Sequence, residues 1–398
     1  MTIMSGRLQM LQEALAGYEK TGFALIAYDG QTIKPAGYSD DVGIYYFIPL
    51  IARWLNISTE QAITTFFAGL ILISLIIGIV GSLLLFKTWL GRLIACAVLL
   101  GMSFVAIRIG DVYVASSSVA LATIPLFLYL SKNKPRFTLM ALFLLMAGLS
   151  IGTAHFVRSN SGMAVLIFLI LAIIFFFNNP LKRKLALISI LLVGVFAATL
   201  FFDSMINQRE KYLHEHNENY AGSANKHPLW HSVYIGFGFL NNPYGILYSD
   251  TSAAEKVYAV APGTKYLSSD YEMTLRSEVF KLIVNEPRFV VTTIFAKTGV
   301  LIFYLLLFSN LGLLLAIYYR KHWGLEVAFG GAILFNSLFG LLVVPIPEYL
   351  LGFFSIAALY GIVSTNHAIE NGLLDDILAL SKRIEGKLSV RYSRRTGF

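Results

Sequence analysis

Ala62-Ile-Thr-Thr-Phe-Phe-Ala-Gly-Leu-Ile-Leu-Ile-Ser-Leu-Ile-Ile-Gly-Ile-Val-Gly-Ser-Leu-Leu-Leu-Phe86 contains no charged residue. A helix of about 20 apolar residues crosses the hydrocarbon core of a bilayer, so this stretch is long enough to span one. Comparable runs follow at 90–107, 112–130, 137–155, 162–178, 184–203, 289–319, 324–343 and 348–366. The run at 289–319 has room for a span plus an interfacial turn, with Lys297 near where that turn should end. Composition points the same way. The chain of 398 residues is 57% apolar and 14% charged, whereas soluble domains carry about 25% charged residues, and its mean hydropathy is +0.68. The expected fold is an all-α polytopic membrane protein of about nine transmembrane helices, with an outward-facing loop domain between the sixth and seventh.

Five segments follow: an N-terminal amphipathic segment and first outer loop (1–61), a bundle (62–203), an outer loop domain (204–288), a second bundle (289–366) and a basic amphipathic tail (367–398). Residues 4–18 place Met4, Leu8, Leu11 and Leu15 on one helical face, as in a helix lying on a membrane surface. Gly22–Tyr28 is apolar but too short to span. Residues 1–22 show no signal-peptide pattern. In the tail, Leu373, Ile377, Leu380, Ile384 and Leu388 share one face amid basic residues, which suits a helix on an anionic leaflet.

The net charge of +8 is no sign of nucleic-acid binding, because it resides in short loops and the tail. Alternate loops hold Lys87 and Arg92, then Lys132, Lys134 and Arg136, then Lys182, Arg183 and Lys184, then Arg320 and Lys321. The intervening short loops hold only Arg108 and Arg158. The positive-inside rule puts the first set and the C-terminus in the cytoplasm. The expected site is therefore extracytoplasmic, in a multi-pass membrane protein. Cys96 is the only cysteine, which excludes an internal disulfide and a multi-thiolate metal site.

Pro35-Ala-Gly-Tyr-Ser-Asp-Asp-Val-Gly-Ile-Tyr-Tyr-Phe47 lies on the outer side under this topology and opens a helix from Val42. Its adjacent acids Asp40 and Asp41 suit a helix N-terminus, so capping is the plain reading. The sharper reading makes one of them a general base. The outer segment carries His227, Trp230, His231 and Tyr234, then Asp250. Aromatic rings beside hydrogen-bonding groups suit the faces of sugars, and they also suit an interfacial aromatic belt. His227 and His231 have metal-ligand spacing, although Pro228 between them disfavours a regular helix. Arg108 stands near Asp111, and the two make a natural salt bridge. His155 and Arg158 occupy the next outer turn without an acid nearby in sequence, a plausible seat for a phosphate. Lys297 either joins them or snorkels to the interface. Glu348 follows Pro347 in a third outer turn.

The acidic first outer loop Asp-Asp-Val-Gly-Ile-Tyr (40–45), the many spans and the His-Pro-Leu-Trp-His run (227–231) resemble the GT-C superfamily of integral-membrane glycosyltransferases. The resemblance implies that Asp40 or Asp41 is the base and that the donor is a polyprenyl-phosphate or polyprenyl-diphosphate sugar. The resemblance also implies a glycan, lipid or protein acceptor and a bacterial inner membrane. Arg158, His155, Lys297 and Arg108 are then the lipid-phosphate group, and His227, Trp230, His231, Tyr234, Asp250 and Glu348 the sugar or acceptor group. A divalent metal, Mg or Mn, is an open cofactor, with Asp250 and Glu348 as candidate ligands. Two other readings compete. An O-antigen polymerase or ligase would centre on Arg158 and His231, and a transporter or flippase would show repeats and midplane ionisable groups.

Overall fold

The computed structural model describes residues 7–37, 40–133, 136–217, 220, 229–379 and 382. His227 and most of the basic tail lie outside the described residues. The amphipathic segment forms α1 (Leu8–Thr21), whose Leu11 and Ala14 face inward. Residues 22–35 form a short hairpin, β1 (Ile26–Tyr28) paired antiparallel with β2 (Ile33–Pro35). No strand was expected here. The turn comes from Asp29, whose Oδ1 accepts the Gln31 and Thr32 N–H groups at 3.0 and 2.9 Å.

The polar stretch then leads into α2 (Val42–Leu55). The helix α3 (Thr59–Leu85) opens with a capping box in which Ser58 and Gln61 satisfy each other's backbone N–H groups. The bundle continues through α4 (Trp89–Ile109), α5 (Val114–Lys132), α6 (Phe137–Val157), α7 (Met163–Leu171) and the long α8 (Leu181–His216). A π turn at Ala172–Phe176 extends α7. After the outer segment come α12 (Pro287–Ser309), α13 (Leu311–Tyr318), α14 (Trp323–Leu342) and α15 (Leu351–Glu370).

Seven of these helices are long and apolar enough to cross a membrane: α3, α4, α5, α6, α8, α12 and α14. The other two expected spans differ for separate reasons. The 162–178 run is the short α7 with its π turn. The 348–366 run is α15, which has the length but turns polar at Ser364, Thr365, Asn366 and His367 before it ends at Glu370. Every residue of α15 from Leu351 to Ile362 is buried, and it packs on α4, α5, α12, α13 and α14. A helix apolar all round belongs in the core, and this one is the bundle's central post. The 289–319 run breaks into two helices at Asn310, whose φ of +51° no regular helix continues. Lys297 stands in the middle of α12 and not at that break.

Close packing of α6 on α8 rests on two glycines that face each other. A Cβ on Gly148 would come 2.2 Å from the Leu191 carbonyl oxygen, and one on Gly194 would come 2.4 Å from that of Leu145. The outer segment builds α9 (Leu229–Gly236), α10 (Asp250–Val260) and α11 (Ser269–Asn285). These share a second hydrophobic core that includes Tyr234, Ile235, Val257, Tyr271 and Leu275.

Candidate functional site

A cavity of about 440 Å³ lies where the acidic stretch, the α6–α7 turn, the start of α5 and the end of α14 meet α9. Local backbone makes the meeting possible. Asn160 (φ +68°) and Gly162 (φ +84°) turn the chain tightly between α6 and α7. Gly43, in the first turn of α2, lies so close to α6 that a Cβ would be 2.6 Å from the Val157 Cα. The Ser159 N–H donates to the Asp40 carbonyl at 2.8 Å and fastens the acidic stretch to that turn.

At the polar end of the cavity, Arg158 pairs with the Asp40 carboxylate. Its other terminal nitrogen donates to the Tyr113 hydroxyl at 2.7 Å. Burial works against the Arg158 charge, but Tyr113, Asp40 and Asp41 outweigh it and hold the guanidinium above its ordinary pKa. Burial pushes the Tyr113 phenol up as well, so it stays a hydroxyl. Tyr113 in turn packs on Tyr349 with ring centroids 5.0 Å apart. The Tyr349 hydroxyl lies 2.6 Å from that of Tyr248, which joins the bundle to the outer segment. His155 also lines the cavity, and its Nδ1 accepts the Asn160 N–H at 3.0 Å. The opposite wall is apolar. Phe335, Leu338, Phe339 and Leu342 follow one another at helical spacing along α14.

Asp41 does not line this cavity. It occupies the N-cap position of α2, yet its side chain caps nothing. Its carboxylate is fully buried, 2.7 Å from Arg7, the residue just before α1. Burial pushes it up to about 6, while Arg7 pulls it back. The capping reading therefore fails for Asp41, whose carboxylate pairs instead with Arg7, a residue that sequence reasoning did not single out. Asp111 also turns to Arg7, at 3.9 Å, so the expected Arg108–Asp111 salt bridge does not form. Arg108 is exposed on the bundle surface over the Phe104 ring.

No protein-family model, no curated protein and no solved structure matches the chain.

Other expected site residues are used elsewhere in the fold. Lys297 is buried and donates to the Leu341 and Val343 carbonyls at 3.0 and 2.7 Å. It thus caps the C-terminal end of α14, where helix carbonyls lack partners and the dipole favours a cation. The helix α9 has two faces. Leu229, Ser232 and Val233 point into the cavity, whereas His231 and Tyr234 are buried in the outer segment's own core. His231 is 2.9 Å from the Tyr271 hydroxyl through Nδ1 and 2.9 Å from Asp250 through Nε2. Both ring nitrogens are engaged, which removes His231 from a metal pair with His227. Burial also lifts Tyr234 to about 12. Trp230 gives its backbone N–H to Glu272 at 3.0 Å and packs its ring near Phe280. Glu348 is half-buried beside Tyr349 and does not line the cavity. Among the described residues no three His, Cys, Asp or Glu side chains come together as a metal site would need.

Of the expected site residues, Asp40, His155 and Arg158 meet in one cavity. Tyr113, Asn336 and Tyr349 join them without having been singled out. Asn336 carried a readable signal, since an amide inside an apolar span is costly unless it serves a purpose.

Proposed function

We propose that the chain is a GT-C-like glycosyltransferase of the bacterial inner membrane. In this reading it transfers a sugar from a polyprenyl-(di)phosphate donor to an acceptor at the extracytoplasmic face, with the C-terminus in the cytoplasm. One observation carries the reading: Asp40 and Arg158, 118 residues apart in sequence, meet in a cavity with an apolar wall. A lipid-linked phosphate needs this combination. The isoprenoid lies against Phe335, Leu338 and Leu342, and the phosphate sits on the guanidinium.

The reaction then balances as follows. An acceptor hydroxyl attacks the anomeric carbon and loses its proton to the Asp40 carboxylate. The new C–O bond forms as the bond from the anomeric carbon to the phosphate oxygen breaks. The leaving phosphate takes the electron pair, and Arg158 stabilises its charge. Before substrate arrives, Asp40 occupies the guanidinium that the phosphate needs. Arrival of the phosphate displaces the carboxylate and frees it to accept a proton. Tyr113 holds the guanidinium in place during this exchange.

The O-antigen polymerase or ligase reading shares Arg158 but relies on His231, whose ring nitrogens serve the outer core instead. The exchange has a direct test in polyprenyl phosphate binding to the purified protein. Arg158→Ala should weaken binding by about tenfold or more, the value of one charge-assisted contact. Asp40→Asn should tighten it, because the competing carboxylate is gone. Binding that weakens in Asp40→Asn, or is indifferent to Arg158→Ala, counts against the reading.

A further inference from the structure

At the opposite end of the bundle a second cavity, of about 190 Å³, opens between α3, α5, α14 and α15. The first cavity touches the start of α5 and the end of α14, and this one touches the end of α5 and the start of α14. Nothing in the proposed transfer uses it. Its walls are of two kinds. Leu85, Phe86, Leu128 and Leu325 are apolar, while Lys132, Lys321, His322 and His367 bring nitrogen groups and Glu370 a carboxylate to the same space.

Two lysines give it cationic character. The Lys321 side chain is 3% exposed and lies 2.8 Å from Glu326. It also donates to Ser364 at 2.6 Å and stands 4.4 Å over the Tyr360 ring. An ammonium has three donors, so these two contacts leave one. Lys132 is exposed and makes no hydrogen bond or ion pair with any described residue. The acceptor side is also incomplete. Glu370, the last residue of α15, also lines the cavity, and its side chain makes no hydrogen bond or ion pair with any described residue. Its carboxylate can accept from a hydroxyl or amine of a bound group.

Depth decides what kind of ligand this is. Trp89 and Trp323, at the starts of α4 and α14, are 74% and 60% exposed at this same end. Exposed tryptophans of a membrane bundle mark the headgroup level, and basic pockets between helices at that level receive lipid headgroups.

We infer that this cavity seats the phosphate of a phospholipid headgroup between Lys132 and Lys321, with Glu370 accepting from the headgroup's hydroxyl or amine. The inference is independent of the transfer reaction. The test uses the full chain in detergent, with thermal unfolding followed as phosphatidylglycerol, diacylglycerol or inorganic phosphate is added. Phosphatidylglycerol should raise the unfolding temperature and diacylglycerol should not. Lys132→Ala, at an exposed position that folding does not need, should weaken the apparent phosphatidylglycerol affinity about tenfold. Lys182→Ala, at an exposed lysine that does not line the cavity, should leave it unchanged. Equal stabilisation by diacylglycerol would overturn the assignment, as would equal weakening in Lys182→Ala. A full shift from inorganic phosphate alone would overturn the lipid as the source.

Discussion

Asp41 keeps its carboxyl in a fully buried place beside a single arginine, 2.7 Å away. Its folded pKa is raised from 3.8 to about 6. The sign of the pH effect follows. A group that holds its proton more tightly when folded stabilises the fold below its unfolded pKa, and that contribution is lost as pH rises through the folded value. For Asp41 the contribution is complete below about pH 4 and gone above about pH 6, and it amounts to roughly 3 kcal/mol. Arg7→Ala should therefore destabilise the protein far more at pH 8 than at pH 5, by about 3 kcal/mol at the higher pH. Unfolding temperatures at the two pH values check this, and an equal loss at both would contradict it. Adjacent acids in a sequence look interchangeable. The partners that separate them, Arg158 for Asp40 and Arg7 for Asp41, come from distant segments, so local sequence could not rank the two.

Helix ends and helix faces account for most of the remaining differences. The position of Lys297 in an apolar run marked it correctly as a group that needs a partner. Which partner it takes depends on where α14 ends, and that is a matter of packing. Lys297→Met should cost about 1–3 kcal/mol by leaving the Leu341 and Val343 carbonyls without their donor. Polyprenyl phosphate affinity should stay near the wild-type value, in contrast to Arg158→Ala. A large loss of affinity with unchanged stability would return Lys297 to the phosphate site. The helix α9 carries the same lesson. Its aromatic and histidine residues were conspicuous in sequence, but the face they occupy builds a core. The plainer Leu229, Ser232 and Val233 face the cavity.

Across the whole molecule, apolar length alone made the membrane-type bundle legible, because spanning a bilayer imposes that length directly. The same length marked α15, where burial among other helices relaxes the demand for apolar residues that lipid contact imposes and admits Ser364, Asn366 and His367. The charge asymmetry of the loops makes a further prediction. In a Cys96→Ala background, Asn160→Cys should react with a membrane-impermeant maleimide in intact cells. Lys132→Cys should react only after permeabilisation, and labelling of both from one side would contradict the topology. The most direct test of the central claim is transfer of labelled sugar from a panel of polyprenyl-phosphate and polyprenyl-diphosphate sugars by the protein in nanodiscs. The account predicts transfer by the wild type, with Asp40→Asn lowering it by about 10²–10⁴-fold and Arg158→Ala abolishing it. Transfer that survives both substitutions would contradict it.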